Sequence, residues 1–174
     1  DTQIAAFGAT QRAALVPTQL ASLSLTAINA LTTTQIAALT PTQIKGLTKT
    51  ALSSLTADQM GALTSTQLMS LVSTQLSGLT DEDMGELSVT ALASLTATEI
   101  SFLSITALQG LTEDQISSLS TTQIKGLTRN QATALALTQI AALSTTQIGV
   151  LSTTAIAGLT ATSLASLSSS QLGV

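Results

Sequence analysis

Tryptophan, tyrosine, histidine and cysteine are absent from the 174 residues, and only 8% of the residues are charged, against about a quarter in an ordinary globular chain. Without histidine or cysteine there is no imidazole base, no thiolate nucleophile and no soft metal ligand. Most catalytic and transition-metal constellations are thereby excluded. Serine and threonine are plentiful, but no base is spaced to activate any of them as a nucleophile, so the expectation is a chain that is not an enzyme and carries no cofactor. The five basic residues are scattered and the net charge is -4, which gives no footprint for a phosphate backbone and argues against a nucleic-acid partner. Two long stretches, Ala13 to Ile44 and Asn130 to Val174, carry no charge at all. Thr, Ser or Gln interrupts them every few residues, however, so neither offers the roughly 20 apolar residues of a transmembrane span. Asp1 opens without a basic or continuously apolar leader, and the sequence reads as a mature or excised segment.

What the chain does have is a period. Leu occupies every eighth position from Leu15 to Leu167 without insertion or deletion, and Phe7 stands in the same phase one step earlier. Self-similarity of this kind fixes the architecture class before any secondary structure is assigned. Read from the residue after Leu, the octad is [ST]-x-T-Q-[IL]-x-[AGS]-L, as in Thr40, Pro41, Thr42, Gln43, Ile44, Lys45, Gly46 and Leu47. Thr40 is a favoured N-cap. Gln43, three residues on, can return a bond to the N–H of the cap, and the two form a capping box. The pairs Thr32 and Gln35, Ser120 and Gln123, and Ser144 and Gln147 repeat it. Pro41 and Pro17 both fall at the first helical position, where a missing N–H removes no helical bond.

The apolar positions predict the core. Leu31, Ile36, Leu39, Ile44, Leu47, Leu55, Leu63 and Leu71 fall at the fifth and eighth places of their octads, and Leu39 with Ile44 has the spacing of a hydrophobic staple. A single long helix is excluded because eight residues turn through roughly 800°, so the Leu stripe would drift by about 80° per repeat. In a strand the fifth and eighth places would point to opposite faces, which disfavours the alternative of a β-solenoid. The expected fold is an all-α solenoid of very short helices, one per octad, spanning 1–174 without interruption or capping units. Its interior would be Ile and Leu, its surface Thr, Ser and Gln. Gly46, Gly78, Gly110, Gly126 and Gly158, separated by 32, 32, 16 and 32 residues, suggest two octads per coil, with three as the alternative. Glu86, Phe102 and Val150 break the rule that a small residue precedes Leu and predict slack or an exposed seam.

Polar clusters have bland readings. Asp81, Glu82, Asp83 and Glu86 could attract calcium, yet the first three sit in the first turn of their octad, where negative charge complements the helix dipole, and no EF-hand spacing is present. Lys45, Lys49, Lys125 and Arg129 read as solvated charges. Thr34, Thr42, Thr50, Thr66 and Thr74 could form a flat array for ice or polysaccharide.

The octads from Leu31 to Leu39 and from Leu143 to Leu151 resemble tandem octapeptide repeats of large, low-complexity bacterial surface and secreted proteins, and the likeness runs the length of the chain. The resemblance implies an extracellular stalk, adhesin segment or filament subunit, with cell-surface or matrix glycans as a further class of partner. The consensus still runs at Val174, low charge and a mean hydropathy of +0.48 oppose association little, and the expected partner is the chain itself, end to end or laterally.

Overall fold

The structure is a computed structural model that describes residues 2–173, with side chains from Ile4 to Gly173. The expectation that stacking ends lie at Asp1 and Val174 falls outside the described residues. A 3-10 turn at Thr2–Ala6 is followed by twenty-one α-helices of four to six residues, and no strand occurs among the described residues. The helical octad is therefore the building unit, and the β-solenoid is set aside.

Each helix starts where its capping chemistry directs. Thr40 is extended (φ -70°, ψ 156°), its side chain accepts from the N–H of Gln43, and Pro41 opens the helix Pro41–Gly46. Leu47 returns to extended backbone (φ -66°, ψ 136°), Thr48 follows it (φ -67°, ψ 158°), and the next helix, Lys49–Leu52, begins at once. Two consecutive extended residues thus turn the chain sharply after this helix, whereas helices such as Thr33–Ala37 and Lys49–Leu52 first pass through a helical cap residue, Ala38 or Ser53. A helix this short is marginal alone because nucleation is not repaid in four to six residues; packing on other coils supplies the stability.

Stacking partners lie three to four octads apart. Helix Pro17–Ala21 packs on Pro41–Gly46, Ala57–Gly61 on Asp81–Glu86, and Asp81–Glu86 on Ile105–Gln109. Side-chain bonds between coils also span 25 to 31 residues. One coil therefore takes between three and four octads, and the expectation of two is corrected. Two octads would make a flat hairpin with one open face, whereas three or four close around the two large apolar side chains of each. Ile28, Ile36, Ile44 and Leu52 are fully buried, while Leu31, Leu39, Leu47, Leu55, Leu63 and Leu71 are 3–7% exposed. Full burial of one such side chain contributes about 1.5–3 kcal/mol, and the buried set runs as one continuous core from Ile4 to Leu167.

The glycine spacing has a different cause. The residue before Leu lies on the first helical residue of the octad three steps earlier: a Cβ on Gly46 would stand 2.6 Å from Cα of Pro17, and on Gly126 it would run into the backbone of Ala97. Ser70 and Ser94 occupy the same place and donate to the carbonyls of Pro41 and Ser65 at 3.3 Å. The small-residue rule is thus a rule of close approach between coils. At two of the three exceptions the bulky side chain stays outside, Phe102 being 42% exposed and Glu86 bordering an open cavity, while Val150 is partly buried against the core.

The same substitution should act with opposite sign at two glycines. Gly126→Ala should lose about 1–3 kcal/mol through overpacking. Gly149 closes its helix, and a Cβ there meets nothing within 4 Å, so Gly149→Ala should gain about 0.5–1 kcal/mol from helix propensity. Urea unfolding followed by far-ultraviolet circular dichroism measures both, and equal effects would contradict the coil-to-coil contact.

Candidate functional site: a glutamine ladder between coils

The third helical residue of the octad is the most connected polar group of the molecule. In Gln75, Oε1 accepts from the N–H of Val72 at 3.0 Å, while Nε2 donates to the carbonyls of Ile44 at 2.9 Å and Leu47 at 2.8 Å. Gln123 accepts from the N–H of Ser120 at 2.9 Å and donates to Leu92 at 2.8 Å and Leu95 at 2.9 Å. Gln43 does the same between Thr40 and the carbonyls of Arg12 and Leu15, and Gln147 between Ser144 and those of Ile116 and Leu119. Gln35 caps Thr32 and reaches the carbonyl of Ala5.

One amide therefore closes two helix ends. Its oxygen satisfies the free N–H at the start of its own helix, and its nitrogen reaches back 28–31 residues to the carbonyl of the eighth-position Leu and to that of the fifth-position residue, which also accepts from the N–H of that Leu, as Ile44 does from Leu47. The O and N ends of the amide are distinguished by this network, since only one orientation pairs both sets. Gln43, Gln59, Gln67, Gln75, Gln115, Gln123, Gln131, Gln139 and Gln147 are 2–3% exposed. The expected Gln surface is thus corrected: these side chains are inside, because the amide oxygen is paired at its own N-cap and the amide nitrogen at carbonyls of the preceding coil.

The capping oxygens are more replaceable than the amide. Val16, Val72 and Ala136 stand at the N-cap with no hydroxyl, yet Gln19, Gln75 and Gln139 still accept from their N–H groups at 2.9–3.0 Å. Elsewhere Thr32, Thr40, Ser120 and Ser144 complete the box by accepting from the N–H of their glutamine at 3.2 Å.

The ladder is interrupted in the middle of the chain. From Thr80 to Leu111 the third helical residues are Asp83, Ala91, Glu99 and Ala107. Asp83 is 5% exposed and accepts from the N–H of Thr80 at 2.8 Å, but it is one carbon too short to bridge and has no proton to donate. Glu99 has the length of Gln, and its carboxylate is held by the N–H of Thr96 at 2.7 Å and the hydroxyl at 2.8 Å. An open cavity of about 300 Å³ lies at this interruption, bordered by Ser53, Ala57, Met60, Glu82, Asp83 and Glu86. Asp81, Glu82 and Glu86 are exposed while Asp83 is buried, and among the described residues no three carboxylates converge as ligands for a metal ion.

The threonine array is not flat. Thr34, Thr42, Thr50, Thr66 and Thr74 are all exposed, but successive octads occupy successive sides of the coil. Threonines eight residues apart therefore face different directions, and only those three to four octads apart share a side.

Sequence reasoning saw the capping half of the glutamine and missed the bridging half. The signal was present in the choice of residue: Glu caps as well as Gln, yet Glu fills the third helical position only at Glu99. Only an amide can also donate. Gln123→Glu should keep the cap and set a carboxylate oxygen against two carbonyls, losing about 2–4 kcal/mol. Gln11 is exposed and bonds to Gly8 alone, so Gln11→Glu should stay within about 0.5 kcal/mol of the parent. Glu99→Gln should gain about 1 kcal/mol by adding a donor toward the preceding coil. Chemical denaturation of the three variants checks this order.

A family model described as the ALTTAQ repeat matches residues 17–49, the stretch that includes the capping boxes of Thr32 and Thr40. No curated protein matches the chain.

Proposed function

We propose that the chain is a structural protein, a rigid stalk or filament subunit at the cell surface or outside the cell, rather than an enzyme. The glutamine ladder carries this reading. On either side of the interruption coil is joined to coil by the same paired bonds at the same spacing, as by Gln43 on Arg12 and Leu15 before it and Gln147 on Ile116 and Leu119 after it. Such a molecule gains length without gaining a new kind of contact, since stability in a solenoid is a sum of like interfaces. The tandem-repeat likeness and the lack of histidine and cysteine support the same role.

Negative-stain electron microscopy across a concentration series is the test. Uniform rods, or fibres that lengthen with concentration, are the expected images, and added whole coils should lengthen the rods in proportion. Irregular compact particles at every concentration would sink the proposal.

A further inference from the structure

We propose that the array is built as two separately cooperative blocks, residues 4–79 and 80–173, and that the first unfolds while the second stays folded. The inference rests on the bonds between coils. The stalk reading above enters only through its consequence, that a stalk so divided yields in two stages at a fixed place.

Every glutamine bridge among the described residues lies wholly on one side of the step from Leu79 to Thr80. Gln35 reaches back to Ala5, Gln43 to Leu15, Gln59 to Leu31, Gln67 to Leu39 and Gln75 to Leu47, all before that step. Gln115 reaches Leu87, Gln123 Leu95, Gln131 Leu103, Gln139 Leu111, Gln147 Leu119 and Gln171 Leu143, all after it. In register, the bridges across the step would belong to Asp83, Ala91, Glu99 and Ala107, none of which is an amide. The step from Leu119 to Ser120 is different. Gln123, Gln131, Gln139 and Gln147 all cross it, each with two bonds of 2.8–3.0 Å.

What crosses at Thr80 is packing and three serine hydroxyls. Ser65 donates to the carbonyl of Thr90, Ser94 to that of Ser65 and Ser104 to that of Leu79, each at 3.3 Å, longer than the roughly 2.5–3.0 Å usual for a hydroxyl donor. Helix Ala57–Gly61 packs on Asp81–Glu86, and a Cβ on Gly61 would stand 3.3 Å from the carbonyl oxygen of Glu86, so the blocks touch. The open cavity of about 300 Å³ nevertheless lies across the same step, with Ser53, Leu55 and Met60 on one wall and Glu82, Asp83 and Glu86 on the other. In a solenoid the coupling between neighbouring repeats is what makes them unfold together, so the interface with the fewest bonds divides the cooperative unit. The later block is the more strongly bonded. Gln115, Gln123, Gln131, Gln139 and Gln147 follow in successive octads, whereas Ala51 interrupts the earlier series between Gln43 and Gln59.

Hydrogen exchange of the whole chain, read by mass spectrometry across a urea series, is the test. Peptides from residues 4–79 should lose protection first, at urea concentrations where those from 80–173 still exchange at least about tenfold more slowly. Loss of protection in both blocks at one common concentration, or in the reverse order, would overturn the proposal. The double variant Asp83→Gln with Glu99→Gln sets two amides across the step, in register with the carbonyls of Leu55 and Leu71, and should bring the two blocks within about threefold of each other. A variant that keeps the helical spectrum by circular dichroism and still shows the gap of the parent would overturn it as well, and should the variant not fold, the measurement on the parent decides alone. Rods in the microscope with a single unfolding stage would keep the stalk and remove the division. Two stages without rods would keep the division and remove the stalk.

Discussion

A helix of five residues has almost as many unpaired backbone groups as paired ones, and the whole molecule is an answer to that constraint. The first N–H groups and the last carbonyls of a helix have no partner within it. In a chain with a helix in every octad, most of the backbone belongs to one end or the other. Water could satisfy these groups only at the surface, whereas here the helix ends face the interior between coils. The buried glutamine amide resolves the problem with a single group, accepting at one end and donating at the other. Among the described residues, no fully buried side-chain polar atom is left without a partner.

Two further requirements follow from that bridge. The amide reaches carbonyls 28–31 residues back only if the coils approach closely, which fixes a small residue before Leu wherever it meets the backbone of the octad three steps earlier. Closeness in turn holds only if the interior is filled, and that is the work of the fifth-position Ile, Leu or Met and the eighth-position Leu. Polar bridge, small contact and apolar filling are therefore not independent features of the octad. A change at any of the three shifts the spacing on which the other two depend, which is why the period tolerates no insertion.

How far this was legible in the sequence depends on whether a feature is local. Capping boxes such as Thr40 with Gln43, the place of Pro17 and Pro41, and the burial of Ile44 and Leu47 all follow from spacing within eight residues, and the chain displays that spacing openly. The number of octads per coil is a property of contacts 24 to 32 residues apart, and spacing within one octad is blind to it. The glycine series misled because Gly46, Gly110 and Gly126 mark close approach, a demand that Ser70 and Ser94 satisfy equally well. The burial of glutamine was missed for a related reason: an amide looks polar and therefore external until its second set of partners, supplied by another coil, is in place.

The break in the ladder shows how such an array tolerates variation. Between Gln75 and Gln115 no glutamine bridges a coil to its predecessor. The same segment holds two of the bulky exceptions, Glu86 and Phe102, together with the densest run of carboxylates. These departures belong together physically. The coils still approach closely without the amide bridge, since a Cβ on Gly110, whose octad has Ala107 in place of Gln, would stand 2.0 Å from the carbonyl oxygen of Asp81; at Glu86 and Phe102 the large residue before Leu is accommodated by remaining outside. The opening beside Glu86 admits water to Asp81, Glu82 and Glu86, which as carboxylates would be expelled from a tight interface. What survives across the joint is the apolar filling, since Leu52, Leu68, Leu76, Met84, Leu92, Ile100 and Leu108 stay fully buried. The hydrophobic column therefore keeps the rod continuous where the polar ladder lapses, and small residues such as Gly110 keep the coils close there.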